Sequence, residues 1–184
     1  MLLPRRRVVL LPALLATAAC APAALPLEDT PPGPYLLGGG DIVQLSVAGD
    51  PTLAGLYRVD DTGRISVPLI GAVEIGGRTL RDAEEAINRR FRSEGVLVEP
   101  RVNLNIQQYR SIYVMGEVVR GGGYPFEPGM TAIQAVALAG GFTPRASRAS
   151  LLLLRGSLGE APRRALPGTH LQAGDVITAT ERWF

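Results

Sequence analysis

A chain of 184 residues with 46% hydrophobic and 20% charged side chains has the composition of one or two compact domains, which excludes a disordered or fibrous protein. Its formal charge of +2 belongs to the N-terminus: without Arg5, Arg6 and Arg7, sixteen arginines face seventeen acidic side chains, and a nucleic-acid partner loses its electrostatic basis. All nineteen basic residues are arginine, while twenty-two glycines and fifteen prolines forecast many turns and short strands.

The N-terminus, "MLLPRRRVVLLPALLATAAC", places a basic start before an apolar run and small residues before Cys20, the three parts of a secretory signal peptide over residues 1–19. As a helix, Val8 to Ala19 would extend about 18 Å, short of a bilayer core of roughly 30 Å. Cys20 is the only cysteine, so no internal disulfide is expected. "TAAC" resembles the lipobox of bacterial lipoproteins, with Thr17 where leucine is usual, and the resemblance implies acylation of Cys20. Ala21 stands where an aspartate would retain an enteric lipoprotein in the inner membrane, so the outer membrane is the expected destination. Residues 20–34 carry five prolines and read as an extended, lipidated tether.

The first folded unit is expected over 35–109. In "DIVQLSV", Val43, Leu45 and Val47 alternate with Gln44 and Ser46, as in a half-buried strand. "DDTG" reads as a turn into "RISVPL", which Pro68 pushes towards an edge. A helix follows, capped by Thr79 with Asp82 three residues on. Leu80, Ala83, Ile87 and Phe91 share one face, and Arg81, Glu84, Glu85 and Arg89 are expected to face water. "RVNLNIQQY" returns as a strand with Val102, Leu104 and Ile106 inward. Its outward residues Asn103, Asn105 and Gln107 form an uncharged face, a candidate lumen lining or subunit contact.

The second unit is expected over 110–184. "SIYVMGEVV" reads as a strand, "RGGG" as a turn and "YPF" as the return. The helix "TAIQAVALA" opens on the Thr131/Gln134 spacing of a capping box, with Ile133, Val136 and Ala137 as its buried stripe. "SLLLLR" and "GDVITATE" complete an α+β arrangement of two small mixed domains, the second grasp-like. The glycine pair in "AVALAGGFTPRAS" follows a helix C-terminus, whose carbonyls repel anions, so it reads as a helix stop sealed by Pro144. Arg145 and Arg148 beyond it remain candidate contacts for an anionic partner. "GGDIVQLSV" is echoed by "AGDVITATE", which reads either as an internal repeat or as a recurrent turn signal.

No catalytic constellation emerges. His170 is the only histidine and lies in a loop, where solvation is the commoner state; with one cysteine it cannot furnish a His/Cys zinc site. Asp60-Asp61 sits in a turn and Glu84-Glu85 on a polar helix face. Neither "GGGDIVQ" nor "RGGGYPF" has the spacing of a phosphate loop. Neither an enzyme nor a cofactor is expected.

In order, these pieces resemble the polysaccharide export proteins of the Wza-like family. "YLLGGGDIVQLSV", "RVDDTGRISVPLIGAVEIGGRTLRDAEEAI" and "VEPRVNLNI" are similar to the polysaccharide export domain. "IYVMGEVVRGGGYPF", "MTAIQAVALAGGFTPRAS" and "LLLLR" are similar to a soluble-ligand-binding β-grasp domain. Gly39 and Gly122 replace prolines usual at two turns. Full-length members have a further grasp domain and a C-terminal amphipathic helix that lines an outer-membrane pore, whereas this sequence ends at "ERWF" after its last expected strand.

The resemblance implies a lipid-anchored component on the periplasmic face of the outer membrane that passes capsular or exopolysaccharide polymer. It further implies a homo-oligomeric ring, an inner-membrane polysaccharide co-polymerase or tyrosine kinase as partner, and a separate outer-membrane pore. A monomeric sugar-binding or adaptor lipoprotein and an envelope polysaccharide hydrolase are the alternatives.

Overall fold

The computed structural model describes residues 33–155 and 161–182; the signal sequence, Cys20 and most of the tether lie outside them. Among the described residues the architecture is α+β, with two helices and three sheets around two hydrophobic cores.

The first core is built from β1 (Ile42–Val47), β2 (Asp50–Arg58), β3 (Arg64–Val67), β4 (Gly71–Glu74), α1 (Leu80–Ser93) and β5 (Val102–Gln108). β1 lies between β2 and β5, antiparallel to both, and β3 and β4 form a separate hairpin. The alternation seen in β1 and β5 buries Val43, Leu45, Val47, Val102 and Leu104 against Ala83, Ile87 and Phe91 of α1. Thr79 caps α1 through its hydroxyl, which accepts from the Asp82 amide at 3.2 Å.

Three expectations change here. β2 is an unforecast strand of nine residues. Pro68 lies past the end of β3, in the turn to β4, so it restricts no ladder position. Glu84 turns inward: its Oε1 accepts from the Leu104 amide at 2.8 Å, and Asn88, one turn on, accepts from the Val102 amide at 3.1 Å. These amides point away from β1 and would otherwise be orphaned, so α1 closes an open sheet edge with two side chains.

The second core is built from β6 (Ile112–Gly116), β7 (Gly122–Tyr124), α2 (Ala132–Leu138), β8 (Ala146–Leu154), β9 (Arg163–Ala165) and β10 (Val176–Glu181). The sheet order is β7-β6-β10-β8-β9, with β10 parallel to β6 and antiparallel to β8. β6 stops at Gly116, and two glycines of "RGGG" belong to β7 rather than to the turn, because they pair with Tyr113 and Val114.

α2 is rotated from its expected face. Ala132, Ala135, Val136 and Ala139 are buried, whereas Ile133 is 41% exposed and Ala137 is exposed. The Ala132 and Ile133 amides donate to the Thr169 and Pro167 carbonyls at 2.9 Å, which pins the first turn, and three alanines let the helix approach closely. Gln134 supplies its half of the capping box, accepting from the Thr131 amide at 2.8 Å. At the other end, the Gly141 amide donates to the Val136 carbonyl and the Gly140 amide to the Ala137 carbonyl. Gly140 has the positive φ that a Schellman stop requires at this position, and Gly141 after it is left-handed as well.

Candidate functional site

Two features organise the molecule's chemistry: a polar joint where the cores meet, and the outward face of the first sheet.

The Gly-Asp echo is the joint. Asp41 and Asp175 are 0% and 1% exposed, and each follows a glycine of positive φ, Gly40 and Gly174. The two turns share one wiring. Each carboxylate accepts at 2.8 Å from the amide three residues upstream, Gly38 and Gln172 respectively, and each Asp amide donates back to that residue's carbonyl at 3.1 Å. Each buried carboxylate also holds an arginine. Arg155 grips Asp175 with Nε at 3.1 Å and Nη2 at 2.8 Å, and Nη2 also donates to the His170 carbonyl at 2.9 Å. Arg110 reaches Asp41 with its own amide at 2.7 Å and with Nη1 at 3.1 Å.

Arg110 also runs between the two turns. A Cβ on Gly38 would lie 2.5 Å from its Nη1, and one on Gly174 would lie 2.9 Å from its Nε. A side chain at either position would require the guanidinium to shift. The Tyr35 hydroxyl donates to Asp41 at 2.7 Å, and burial followed by that hydrogen bond pushes its phenol well above the ordinary range. Tyr35, Tyr109 and Phe126 form an edge-on column with centroid spacings of 4.9 and 5.6 Å. Beside it lies a cleft of about 570 Å³, also lined by Leu171 and Gln172. With their oxygens occupied by amides, Tyr35 and arginines, both carboxylates serve as anchors of structure.

On β1 and β5 the outward face of the first sheet is polar and uncharged, whereas β2 beside them presents exposed Leu56 and Arg58. Asn105 lies opposite Gln44 and Asn103 opposite Ser46, all four exposed, and the Asn105 amide donates to Asn103 Oδ1 at 2.9 Å. Gln107 falls at a register shift near the end of this face, where Val43 pairs with Ile106 and Ile42 with Gln108. Leu56 on β2 faces Gln44 and is exposed. The face thus offers amide and hydroxyl groups, donors and acceptors without charge, to whatever lies over it.

Arg145 and Arg148 are not on this face; they belong to the second unit. Arg145 is paired with Glu181, with its Nε at 2.8 Å, and Arg148 is exposed on β8. His170 is half-buried, with Nδ1 enclosed and unpartnered. Sequence reasoning missed Tyr35, Asp41, Arg110, Arg155 and Asp175 as a set, although the Gly-Asp echo marked both turns. Among the described residues no group of three or more His, Cys, Asp or Glu is placed to hold a metal ion, and no helix is long and apolar enough to cross a membrane.

Comparison with known proteins divides the chain in the same place as the two cores. Residues 29–107 match the family model described as polysaccharide biosynthesis/export protein, and residues 111–164 match that of the SLBB domain. Over 140 residues the chain is 32% identical to the exopolysaccharide production protein ExoF of Rhizobium meliloti (strain 1021). That alignment takes in 70% of this chain and 32% of the relative, so the chain spans about a third of the length of the curated relative it matches.

Proposed function

The chain belongs to the polysaccharide export protein family, and from that premise we propose that it is an envelope component that guides capsular polysaccharide or exopolysaccharide outward. The observation that carries this is the amide and hydroxyl face of β1 and β5. Sugar polymers present dense hydroxyls, and exposed Gln44, Ser46, Asn103 and Asn105 offer matching donors and acceptors. The absence of charge along the β1–β5 strip, with Arg58 on neighbouring β2 at its margin, suits passage, since weak, replaceable hydrogen bonds guide a moving chain without trapping it.

The family is one of export proteins rather than of enzymes, and the mechanism proposed has no covalent step. Copies of the chain assemble into a ring or collar with this face turned to the lumen or to a neighbouring copy. An inner-membrane polysaccharide co-polymerase or tyrosine kinase feeds the polymer in, and a separate outer-membrane pore takes it on. Acylated Cys20 holds the assembly at the periplasmic face of the outer membrane. Shape complementarity of two Gly-Asp turns about Arg110 supports this reading, because a collar needs its two cores held in fixed relation.

The test places charge on the face. Asn103→Glu combined with Asn105→Glu keeps both side chains exposed and is expected to reduce polymer export or native mass at unchanged melting temperature. Normal export together with normal native mass removes the proposal.

A further inference from the structure

A second polar site lies on the first unit, between elements that contribute neither Asp41 nor the amide row. A groove of about 490 Å³ runs between the β3–β4 hairpin and α1, within the range of roughly 300–1,000 Å³ typical of small-ligand clefts. Ala72, Val73 and Ala86 contribute small apolar groups to its lining. Its walls are cationic: Arg64 stands on β3, Arg78 in the loop before α1, and Arg89 and Arg90 on the helix, against the single carboxylate of Glu74.

The four arginines are not equally committed. Arg90 pairs with Glu94 at 3.0 Å and donates through Nε to the Ile70 carbonyl at 3.3 Å. Arg89 has Glu85 at 3.8 Å, both side chains more than half exposed, a pairing that water screens heavily. Arg64 and Arg78 have no carboxylate within 4.0 Å among the described residues. Arg78 Nε is enclosed and has no hydrogen-bond partner. A buried, unmet guanidinium donor is a cost to the folded chain unless an acceptor arrives, and Arg64 beside it faces Glu74 across the hairpin and Asp60 in the preceding turn only at more than ion-pair distance.

We propose that this groove binds the carboxylate of an acidic sugar residue in the exported polymer. A planar guanidinium matches a carboxylate with two parallel hydrogen bonds, and arginines on both walls can bracket one. The small apolar groups in the lining suit the C–H face of a sugar ring. The identity of the polymer rests on the export reading above; the preference for an anion rests on the arginines alone. The two arrangements then divide the work: the neutral face lets the polymer slide, and the groove registers its charged residues.

The test uses the full chain and a short oligogalacturonate, followed by calorimetry and by chemical-shift changes at Arg78 and Ala86. A maltooligosaccharide of equal length is the neutral control, and citrate and a glutamate-rich peptide are the competitors. Oligogalacturonate is expected to bind more weakly as salt rises, and Arg78→Gln to weaken it by about tenfold. Arg64→Gln, at an exposed strand position, gives a similar loss without risk to the fold. Equal binding of the neutral oligosaccharide, or unchanged binding in both variants, overturns the site. Citrate or the peptide binding as tightly as the oligosaccharide overturns its assignment to sugar. Because binding is read on purified protein, its failure leaves the export reading intact. Conversely, binding that persists while cells lacking the protein export normally removes the polymer and keeps the anion site.

Discussion

Nη1 of Arg110 lies 3.1 Å from Oδ2 of Asp41, so the chain two residues before β6 is anchored in the turn that opens β1. Sixty-nine residues separate the two in sequence. The same guanidinium lies 3.0 Å from the Tyr35 hydroxyl and passes the Gly174 turn of the second core. One side chain therefore contacts both Gly-Asp turns and fixes how the cores meet.

Removing the acid partner is the severest way to undo this. Asp41→Ala strands the Arg110 and Gly38 amides and the Tyr35 hydroxyl, and is expected to cost about 3–5 kcal/mol. Arg110→Ala leaves Asp41 its two backbone amides and Tyr35, and should cost less, about 1–3 kcal/mol. Urea unfolding of both variants checks the order; equal losses would mean that the arginine, not the amide cage, stabilises the buried carboxylate.

The passage between the turns makes a second prediction. Gly174 and Gly129 both have positive φ, but only at Gly174 would a Cβ meet Arg110; at Gly129 there is open space. Gly129→Ala is expected to cost about 1 kcal/mol from backbone strain alone, and Gly174→Ala about 2–3 kcal/mol because the guanidinium must also move. Matching melting temperatures for the two variants would contradict the role given to Arg110.

A third prediction concerns acid. In the β2–β3 turn, Asp60 Oδ1 accepts from the Arg64 amide, the Thr62 hydroxyl and the Thr62 amide, and the first two are the main causes holding its carboxyl below the ordinary 3.8. The folded state thus prefers the charged form. Its stabilisation is complete above the unfolded value and is lost as pH falls through the lower folded one. Thermal melts from neutral into acid solution should show wild type losing its advantage over Asp60→Asn across that window. A constant difference between them would contradict the turn's role.

The edge of β5 supplies a fourth. Glu84→Ala leaves the Leu104 amide without its acceptor and is expected to destabilise by about 1–3 kcal/mol, whereas Glu85→Ala, on the exposed face, should stay within about 0.5 kcal/mol. Equal effects would show that Glu84 caps nothing in solution.

Much of α1 and of the outward amide row was legible because each rests on local periodicity. Leu80, Ala83, Ile87 and Phe91 recur at helical spacing, and Asn103, Asn105 and Gln107 alternate with apolar neighbours. β2 was not legible, since Asp50-Pro51 and Gly55 read as breakers and its pairing with β1 is a property of register. Glu84 looked solvated because its acceptor role depends on an amide twenty residues away. Ile133 lost its place to three alanines because closeness to the sheet, not hydrophobicity, decides which face of a two-turn helix packs. The Gly-Asp turns were visible as an echo, but their arginines were not: a buried pair made across 69 residues leaves no local trace. For the same reason Gln44 and Ser46 joined the amide face only once the β1–β5 register was known.

A role for this chain in polysaccharide export is read at its plainest in the polymer itself. Surface-bound and released polysaccharide should be quantified in cells lacking the gene and in the same cells complemented with the wild-type chain, the Cys20→Ser chain or the Asn103→Glu/Asn105→Glu chain. Exported polymer is expected to fall sharply on deletion, to be restored by the wild-type chain and to be restored poorly by both variants. Undiminished export in the deletion strain would contradict that role.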